Sequence, residues 1–196
     1  MLHHALLAFA ADDSKNANNS LPTEDPVMNF LLSLTNLHAA LGRLLDKLQP
    51  LALLAARIYV TDVFWKSGWL KLTNWSSTLD LFRDEYHVPL LPPDLAAVVG
   101  TFGELFFPAL LVVGLFGRVA ALGTSAVNAM AVISYAYVLL QDGYEAAIGQ
   151  HILWGTLLLG LTVFGPGKLS IDAWVERRIT TRAHGLRGSD KAPVPA

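Results

Sequence analysis

The chain has 196 residues, of which 53% are hydrophobic and 15% are charged. A typical soluble domain is about 25% charged, so this composition favours a single-domain integral membrane protein. The net charge of −2 and the lack of a long basic cluster exclude an electrostatic surface for nucleic acid. The absence of cysteine excludes disulfides, iron–sulfur clusters and covalently attached haem.

The N-terminal segment 1–27 begins with a short apolar run and then becomes polar. It has neither the basic beginning nor the long apolar core of a secretory signal, so we interpret it as a disordered tail. The coherent helical pattern begins at Met28, which is therefore an alternative start of the protein.

Apolar side chains recur at helical spacing in the segment 28–48. They are Phe30, Leu31, Leu34, Leu37, Leu41, Leu44, Leu45 and Leu48. This periodicity predicts an amphipathic helix that lies in the membrane interface. The alternative is a soluble helix that packs on a partner.

Four apolar stretches follow, at 50–70, 95–116, 119–140 and 146–164. The last three have the length of about 20 residues that crosses a bilayer as helix, whereas membrane β-strands are half as long and alternate. The first stretch contains Arg57, Asp62 and Lys66, so it inserts only if these groups pair or snorkel. We therefore predict an all-α fold, a four-helix transmembrane bundle over 49–174 with an N-terminal interfacial amphipathic helix.

Charge in the connections predicts the topology. The turn between the second and third stretches contains Arg118, and the tail 175–196 is basic, whereas the other two connections are mainly acidic. Under the positive-inside rule both termini face the cytoplasm, which agrees with an even number of spans.

The connection 71–94 is the longest between the apolar stretches. Its apolar residues alternate with charges, which predicts a short amphipathic helix on the outer face. The connection is either a plain interfacial segment or a lid over a cavity in the bundle. Asp94 directly precedes the second stretch and is expected to cap its helix.

Glu104 is the first candidate for a catalytic group. It lies about nine residues into the second stretch, roughly 14 Å along a helix and so near the bilayer midplane. Pro108 cannot donate to its carbonyl, which adds a free backbone acceptor. An isolated carboxyl at this depth should be neutral unless a cation lies near it. It either exchanges protons with a quinone head group or locks the helices together by hydrogen bonds.

Asp62 and Lys66 are one helical turn apart and can pair, and both are further candidate catalytic residues. The alternative is a structural ion pair, and whether Asp62 faces Lys66 or Glu104 is open. Arg57 lies elsewhere around the helix and is expected to reach inward or to the inner interface.

His151 is the fourth candidate catalytic residue: it is a proton relay, a metal ligand that would need carboxylates as co-ligands, or a core histidine with satisfied hydrogen bonds. It is the only histidine in the four stretches, which excludes bis-histidine haem ligation within the chain, and no metal site is predicted. Asn128 can hydrogen-bond across the bundle. Arg57, Asn128 and Trp154 are the candidate cofactor-binding residues.

Three parts of the sequence resemble the DoxX family of small bacterial integral membrane proteins. They are Arg57 with Phe64, Gly68, Lys71 and Leu72; Gly103-Glu104-Leu105 with 110–122; and 165–172. The resemblance covers 54–174, and Asp62 and Lys66 depart from it. It implies a multi-pass protein of the bacterial inner membrane. Relatives include small subunits of quinol-oxidising or thiosulfate–quinone oxidoreductase complexes and membrane partners of oxidative-stress enzymes.

Two functions remain open. In the first, the chain is a membrane subunit of a redox or respiratory-type assembly that binds quinone and relays protons, at most an accessory subunit of an oxidoreductase. In the second, it is a non-catalytic membrane anchor or scaffold for a soluble enzyme or a metal or oxidative-stress system. Both imply contact with the lipid bilayer and with a protein partner. A transporter is disfavoured because no inverted repeat is visible.

Overall fold

The computed structural model describes residues 26–189, with side chains described as far as Arg182. All regular structure in this part of the chain is helical, which confirms the all-α prediction. The helices are α1 (Pro26–Thr73), α2 (Trp75–Asp84), α3 (Pro93–Val113), α4 (Gly117–Ser134), α5 (Ala136–Leu139), α6 (Glu145–Phe164) and α7 (Ile171–Ser189). The disordered tail predicted for 1–27 lies, except for its last two residues, outside the described part, as do residues 190–196.

The chain divides into two compact units, Met1–Lys47 and Leu48–Ala196. The described part of the first unit is helical, and its large apolar side chains are exposed. The helix predicted for 28–48 is therefore present. It begins at Pro26 and belongs to a helix that continues through Pro50 to Thr73. Its location at a membrane interface stays a prediction.

Two helices of the described residues, α3 and α6, are long and apolar enough to cross a membrane. They correspond to the second and fourth predicted stretches. The third predicted stretch, 119–140, is interrupted: α4 ends at Ser134, and the four-residue α5 follows Tyr135. The Ser134 hydroxyl donates to the Met130 carbonyl at 2.7 Å in the last turn of α4.

The core of the second unit joins one face of α1 to α3, α4 and α6. It contains Val60, Phe64, Leu111, Ala120, Ala121, Leu158 and Leu161. Close approach depends on Gly68 of α1, where a Cβ atom would lie 2.9 Å from Cγ of Leu105. The Thr61 hydroxyl donates to the Pro108 carbonyl of α3 at 3.1 Å, so this buried polar group is satisfied across the interface.

The helix α2 is the amphipathic helix predicted in the connection 71–94. The Thr78 hydroxyl donates to the Lys71 carbonyl at 3.0 Å, which fixes α2 to the end of α1. Arg83 makes a bidentate ion pair with Asp94, with distances of 2.7 and 2.9 Å. The prediction that Asp94 caps α3 is wrong, because Pro92 is the N-cap residue and the carboxylate faces Arg83. The guanidinium offers two charge-assisted hydrogen bonds in place of one backbone N–H.

The segment after α2 is tied to the end of α4 and to α5. The His87 N–H donates to the Ser134 carbonyl at 2.9 Å, and the Tyr137 hydroxyl donates to the Glu85 carbonyl at 2.9 Å. We call α2 together with residues 85–92 the roof. Its position is thus set by hydrogen bonds from α2 to the end of α1 and from residues 85 and 87 to α5 and the end of α4.

Candidate binding site

Glu104 on α3 is paired with Lys71 in the last turn of α1. The Lys71 ammonium lies 2.8 Å from each carboxylate oxygen of Glu104 and 2.8 Å from the Ser67 hydroxyl. These contacts use all three N–H groups of the ammonium. The Lys71 and Glu104 side chains are only 12% and 11% exposed. Glu104 is therefore not the isolated carboxyl that the sequence analysis considered, because a lysine with satisfied hydrogen bonds lies beside it.

A cavity of about 490 Å³ adjoins this ion pair. Its polar lining comes from Lys71, Glu104, Tyr86 and Ser134. The apolar lining comes from α3, α4 and the roof, and includes Phe82, Val88, Leu91, Ala96, Val99, Phe102, Phe107, Ala126, Val127, Met130 and Ala131. Small-molecule sites typically have volumes of about 300–1,000 Å³, apolar walls and a few convergent polar groups. The cavity fits this description.

The cavity opens between α3 and α4. Val99, Phe102 and Met130 line it and are nevertheless 50%, 58% and 40% exposed. Ala126 on α4 also lines it and is exposed. The entrance is thus bordered by apolar side chains, whereas the charged groups lie inside.

The roof covers one end of the cavity. Phe82 is buried, and its ring packs edge-to-face on Tyr86 at a centroid distance of 5.0 Å. Tyr86 packs in the same way on Tyr135 at 5.3 Å. For the connection 71–94 the geometry therefore favours a cover over a cavity, the lid alternative, rather than a plain interfacial segment.

Tyr86 contributes a hydroxyl to the cavity lining. Burial, together with the negative charge of Glu104, raises the pKa of Tyr86 to about 12. The phenol is consequently neutral at physiological pH and presents an O–H donor near the ion pair.

Asp62 and Lys66 form the predicted ion pair at 2.7 Å, but on another face of α1. The Lys66 and Asp62 side chains are 74% and 55% exposed, in contrast to the buried Lys71–Glu104 pair. Of the two partners left open for Asp62, the structure selects Lys66. Neither residue lines the cavity.

His151, Asn128 and Trp154 form a separate polar cluster between α4 and α6. His151 Nδ1 lies 2.8 Å from Asn128 Oδ1, and the Asn128 amide donates to the His151 carbonyl at 3.0 Å. Because the amide oxygen faces the ring, Nδ1 carries the proton and Nε2 remains an acceptor. Trp154 contacts His151 edge-to-face at 4.9 Å, and its buried Nε1 has no partner among the described residues.

Arg57 lies at a third place, at the other end of the bundle. It is fully buried and donates from Nη2 to the Leu169 carbonyl, while Nε and Nη1 have no partner within the described residues. Nearby, the Asp172 carboxylate accepts hydrogen bonds from the Phe116 and Gly117 N–H groups at 2.9 and 2.8 Å. We call this arrangement the corner. It satisfies the N-terminal N–H groups of α4 with a carboxylate.

The corner brings together all three motif segments of the sequence. Arg57 comes from the first, 114–118 from the second and 165–172 from the third. A cavity of about 520 Å³ adjoins the corner, and its charged lining residues are two bases and two acids, Arg118, Lys168, Asp172 and Glu176. Arg57, 114–118 and 165–172 thus fix the helix ends to one another, and none of them lines the Glu104 cavity.

The predicted site residues therefore divide among separate places. Only Glu104 lines the apolar cavity, while Asp62–Lys66, His151–Asn128–Trp154 and Arg57 each have their own partners. Among the described residues no group of three or more metal-ligating side chains could hold a metal ion. The sequence interpretation missed Lys71 as a site residue, although Lys71 belonged to the first motif.

The described helices define the class of protein. They describe an all-helical protein with two helices of membrane-spanning length. Residues 52–137 match the family model of DoxX, the family that the motifs resemble. The match contains Lys71, Glu104 and the first two motif segments, while 165–172 lies beyond it. Together with the two apolar helices, the family supports a membrane protein in contact with lipid.

One similar relative is an uncharacterized protein of Haemophilus influenzae. It is 29% identical over 140 residues, which cover 67% of this chain and 88% of the relative. The comparison with solved structures gave no significant match.

Proposed function

We propose that this chain is a four-span membrane subunit that binds an amphipathic ligand of the quinone class in the 490 Å³ cavity. The observation that carries the proposal is the buried Lys71–Glu104 ion pair beside the apolar cavity. Buried charges are costly, and ionisable residues within membrane segments are rare and typically mark functional sites.

The proposed spans are α1 from about residue 50 onward, α3, α4 continued by α5, and α6. Both termini would face the cytoplasm of a bacterial inner membrane, because the Arg118 turn and the segment after α6 are basic. In this arrangement the entrance between α3 and α4 faces the acyl chains. A lipid-dissolved ligand would then enter without crossing water.

The residues present fit a quinone at both of its ends. A quinone head group has two carbonyl oxygens that accept hydrogen bonds. The Tyr86 hydroxyl is a donor in the lining, and the Lys71 ammonium would donate to the second oxygen by giving up its contact with Ser67. Its isoprenoid tail is apolar, as are Phe102 and Met130 at the entrance. Aromatic and aliphatic walls with a few polar groups are the usual composition of such a site.

A quinone supplies chemistry in which the uptake of electrons is coupled to the uptake of protons. The chain itself would orient the head group through Lys71 and hold or release a proton at a carboxylate oxygen of Glu104. Electrons would be exchanged with a partner protein, because the sequence has no cysteine and one histidine in its apolar stretches. We therefore propose an accessory subunit of a redox assembly. Asp62, Lys66 and His151 have no part in this proposal.

The proposal is tested by photolabelling the detergent-purified protein with an azido-ubiquinone. We expect labelled peptides from the cavity walls in 96–107 and 123–131. Replacing both charges, Lys71→Met with Glu104→Leu, should weaken labelling about tenfold, the effect of losing one strong charged hydrogen bond. Ala126→Trp should also weaken it, because the new ring would fill the entrance from an exposed position.

The matched control is the exposed pair. Asp62→Asn with Lys66→Gln removes two charges from the same helix without touching the cavity, so labelling should be unchanged. Labelling that maps outside the cavity, or that is equal in all variants, would show that the cavity is not a quinone site.

A further inference from the structure

The helix α7 presents an apolar stripe that no part of the described chain covers. Its members fall within about 140° of the helix circumference at 100° per residue. They are 38–63% exposed, and they are Ile171, Trp174, Val175 and Ile179. Exposed apolar residues in such a row mark a surface that contacts something else.

The other side of α7 is fixed to the bundle at the corner. Asp172 holds the Phe116 and Gly117 N–H groups, and its own N–H donates to the Gly114 carbonyl at 3.0 Å. Gly114 is the C-cap residue of α3, one of the two helices of membrane-spanning length. The second such helix, α6, ends at Phe164, shortly before α7 begins. α7 therefore starts at the level where both apolar helices end.

The stripe is accompanied by positive charge. Arg178 lies on the stripe, and its guanidinium is 5.2 Å from the centroid of the exposed Trp174 ring. Arg182 lies one turn further on the same side, and Arg177 lies beside the stripe. Of the two acidic residues in α7, Asp172 is engaged at the corner, and Glu176 lines the cavity beside the corner. A partner that matches this surface would present an apolar layer bordered by negatively charged groups.

We propose that α7 lies along the membrane surface, with its stripe between the headgroups and its arginines on the phosphates of anionic phospholipids. The long side chains of Arg178 and Arg182 can extend from the stripe to the phosphates, and tryptophan is typical of the membrane–water interface. The inference does not depend on the ligand of the Glu104 cavity. It assigns the basic end of the chain to lipid instead of to a soluble partner.

The lack of cysteine allows a clean test with single labels. Ile179→Cys places a bimane fluorophore on the stripe, and Thr180→Cys places it about 100° around the helix as the matched control. The full-length protein is reconstituted into nanodiscs of phosphatidylcholine or of an equimolar mixture with phosphatidylglycerol. Quenching by nitroxide-labelled lipid and by aqueous iodide is then compared.

We expect the label at residue 179 to be quenched by nitroxide lipid and shielded from iodide, and the label at residue 180 to show the reverse. Replacing Arg178 and Arg182 by glutamine should reduce the preference for phosphatidylglycerol by about fivefold per arginine. Equal behaviour of the two labels would overturn the proposal. So would shielding of residue 179 from both quenchers, which would mean that protein covers the stripe, and so would indifference to phosphatidylglycerol.

Discussion

Lys71 and Glu104 are 33 residues apart in the sequence, yet the ammonium lies 2.8 Å from both carboxylate oxygens. The pair joins the last turn of α1 to the middle of α3 and forms the charged part of a mainly apolar cavity wall. Among the described residues Lys71 and Glu104 form an ion pair with each other, and Ser67 accepts the remaining N–H of Lys71, so the two charges depend on each other.

The first prediction concerns this dependence. Lys71→Met leaves Glu104 buried without a cation, and we expect the free energy of unfolding to fall by about 3 kcal/mol. Adding Glu104→Leu removes the unpaired charge, so the double variant should recover most of that loss. Denaturant unfolding in detergent measures the three values. Lys66→Met is the control and should change stability by less than about 1 kcal/mol, because its ion pair is exposed.

If the double variant is as unstable as Lys71→Met, the two side chains are not energetically coupled and the prediction is wrong. If the double variant is stable and no longer takes the quinone photolabel, the loss of labelling is a loss of binding and is not caused by misfolding.

The second prediction concerns the titration of Tyr86, whose pKa is raised to about 12 chiefly by burial. Tyrosinate absorbance after a rapid pH jump, taken as the difference between the wild type and Tyr86→Phe, should have its midpoint near that value. Because an acid with a raised pKa favours folding only while protonated, its contribution to stability should be lost between about pH 10 and 12. Glu104→Gln should lower the midpoint without restoring 10.0, since burial remains.

Asp62→Asn is the control for this titration. Its carboxylate is exposed and paired with Lys66, so the midpoint of Tyr86 should not move. A wild-type midpoint near the ordinary value would mean that Tyr86 is solvated and not part of the cavity wall.

Much of α1 could be read from helical periodicity. Taking Arg57 as the reference, Phe64 and Gly68 fall on the same face and are buried. Lys71 lies about 40° from Arg57 on a helical wheel, whereas Lys66 lies about 180° away. The same wheel therefore separates the buried lysine from the exposed one, and it is the signal that the sequence interpretation left unused. Asp62 and Lys66 lie on the exposed face, which does not line the cavity.

The cavity could not be predicted in the same way. Its walls come from α3, α4 and the roof, and the position of the roof depends on long-range bonds such as His87 to Ser134. The corner is similar, because the carboxylate of Asp172 reaches backbone groups that lie 55 and 56 residues earlier. The motif segments indicated that these residues matter, but periodicity carries no information on which helix ends meet.

The third prediction concerns the tautomer of His151. With Asn128 Oδ1 2.8 Å from Nδ1, the ring should be protonated at Nδ1 and unprotonated at Nε2. Nitrogen-15 chemical shifts of the labelled imidazole distinguish the two tautomers. Asn128→Leu removes the acceptor and should produce a mixture of tautomers, while Asp62→Asn should leave the spectrum unchanged. A neutral ring protonated at Nε2 in the wild type would contradict the assigned geometry.

The fourth prediction tests the corner through two glycines. Gly114 has a φ of 69°, and a Cβ atom there would collide with the Arg57 guanidinium and with Ser170. Gly114→Ala therefore combines a left-handed backbone penalty with displacement of a fully buried arginine, and we expect a loss of about 3 kcal/mol in unfolding free energy. Gly160 lies within α6 with nothing within 4 Å of its added Cβ, so Gly160→Ala should be neutral or stabilising by up to about 1 kcal/mol. Thermal unfolding in detergent compares the two variants. If Gly114→Ala and Gly160→Ala unfold at similar temperatures, Arg57 moves aside at little cost and the corner does not hold the helix ends together.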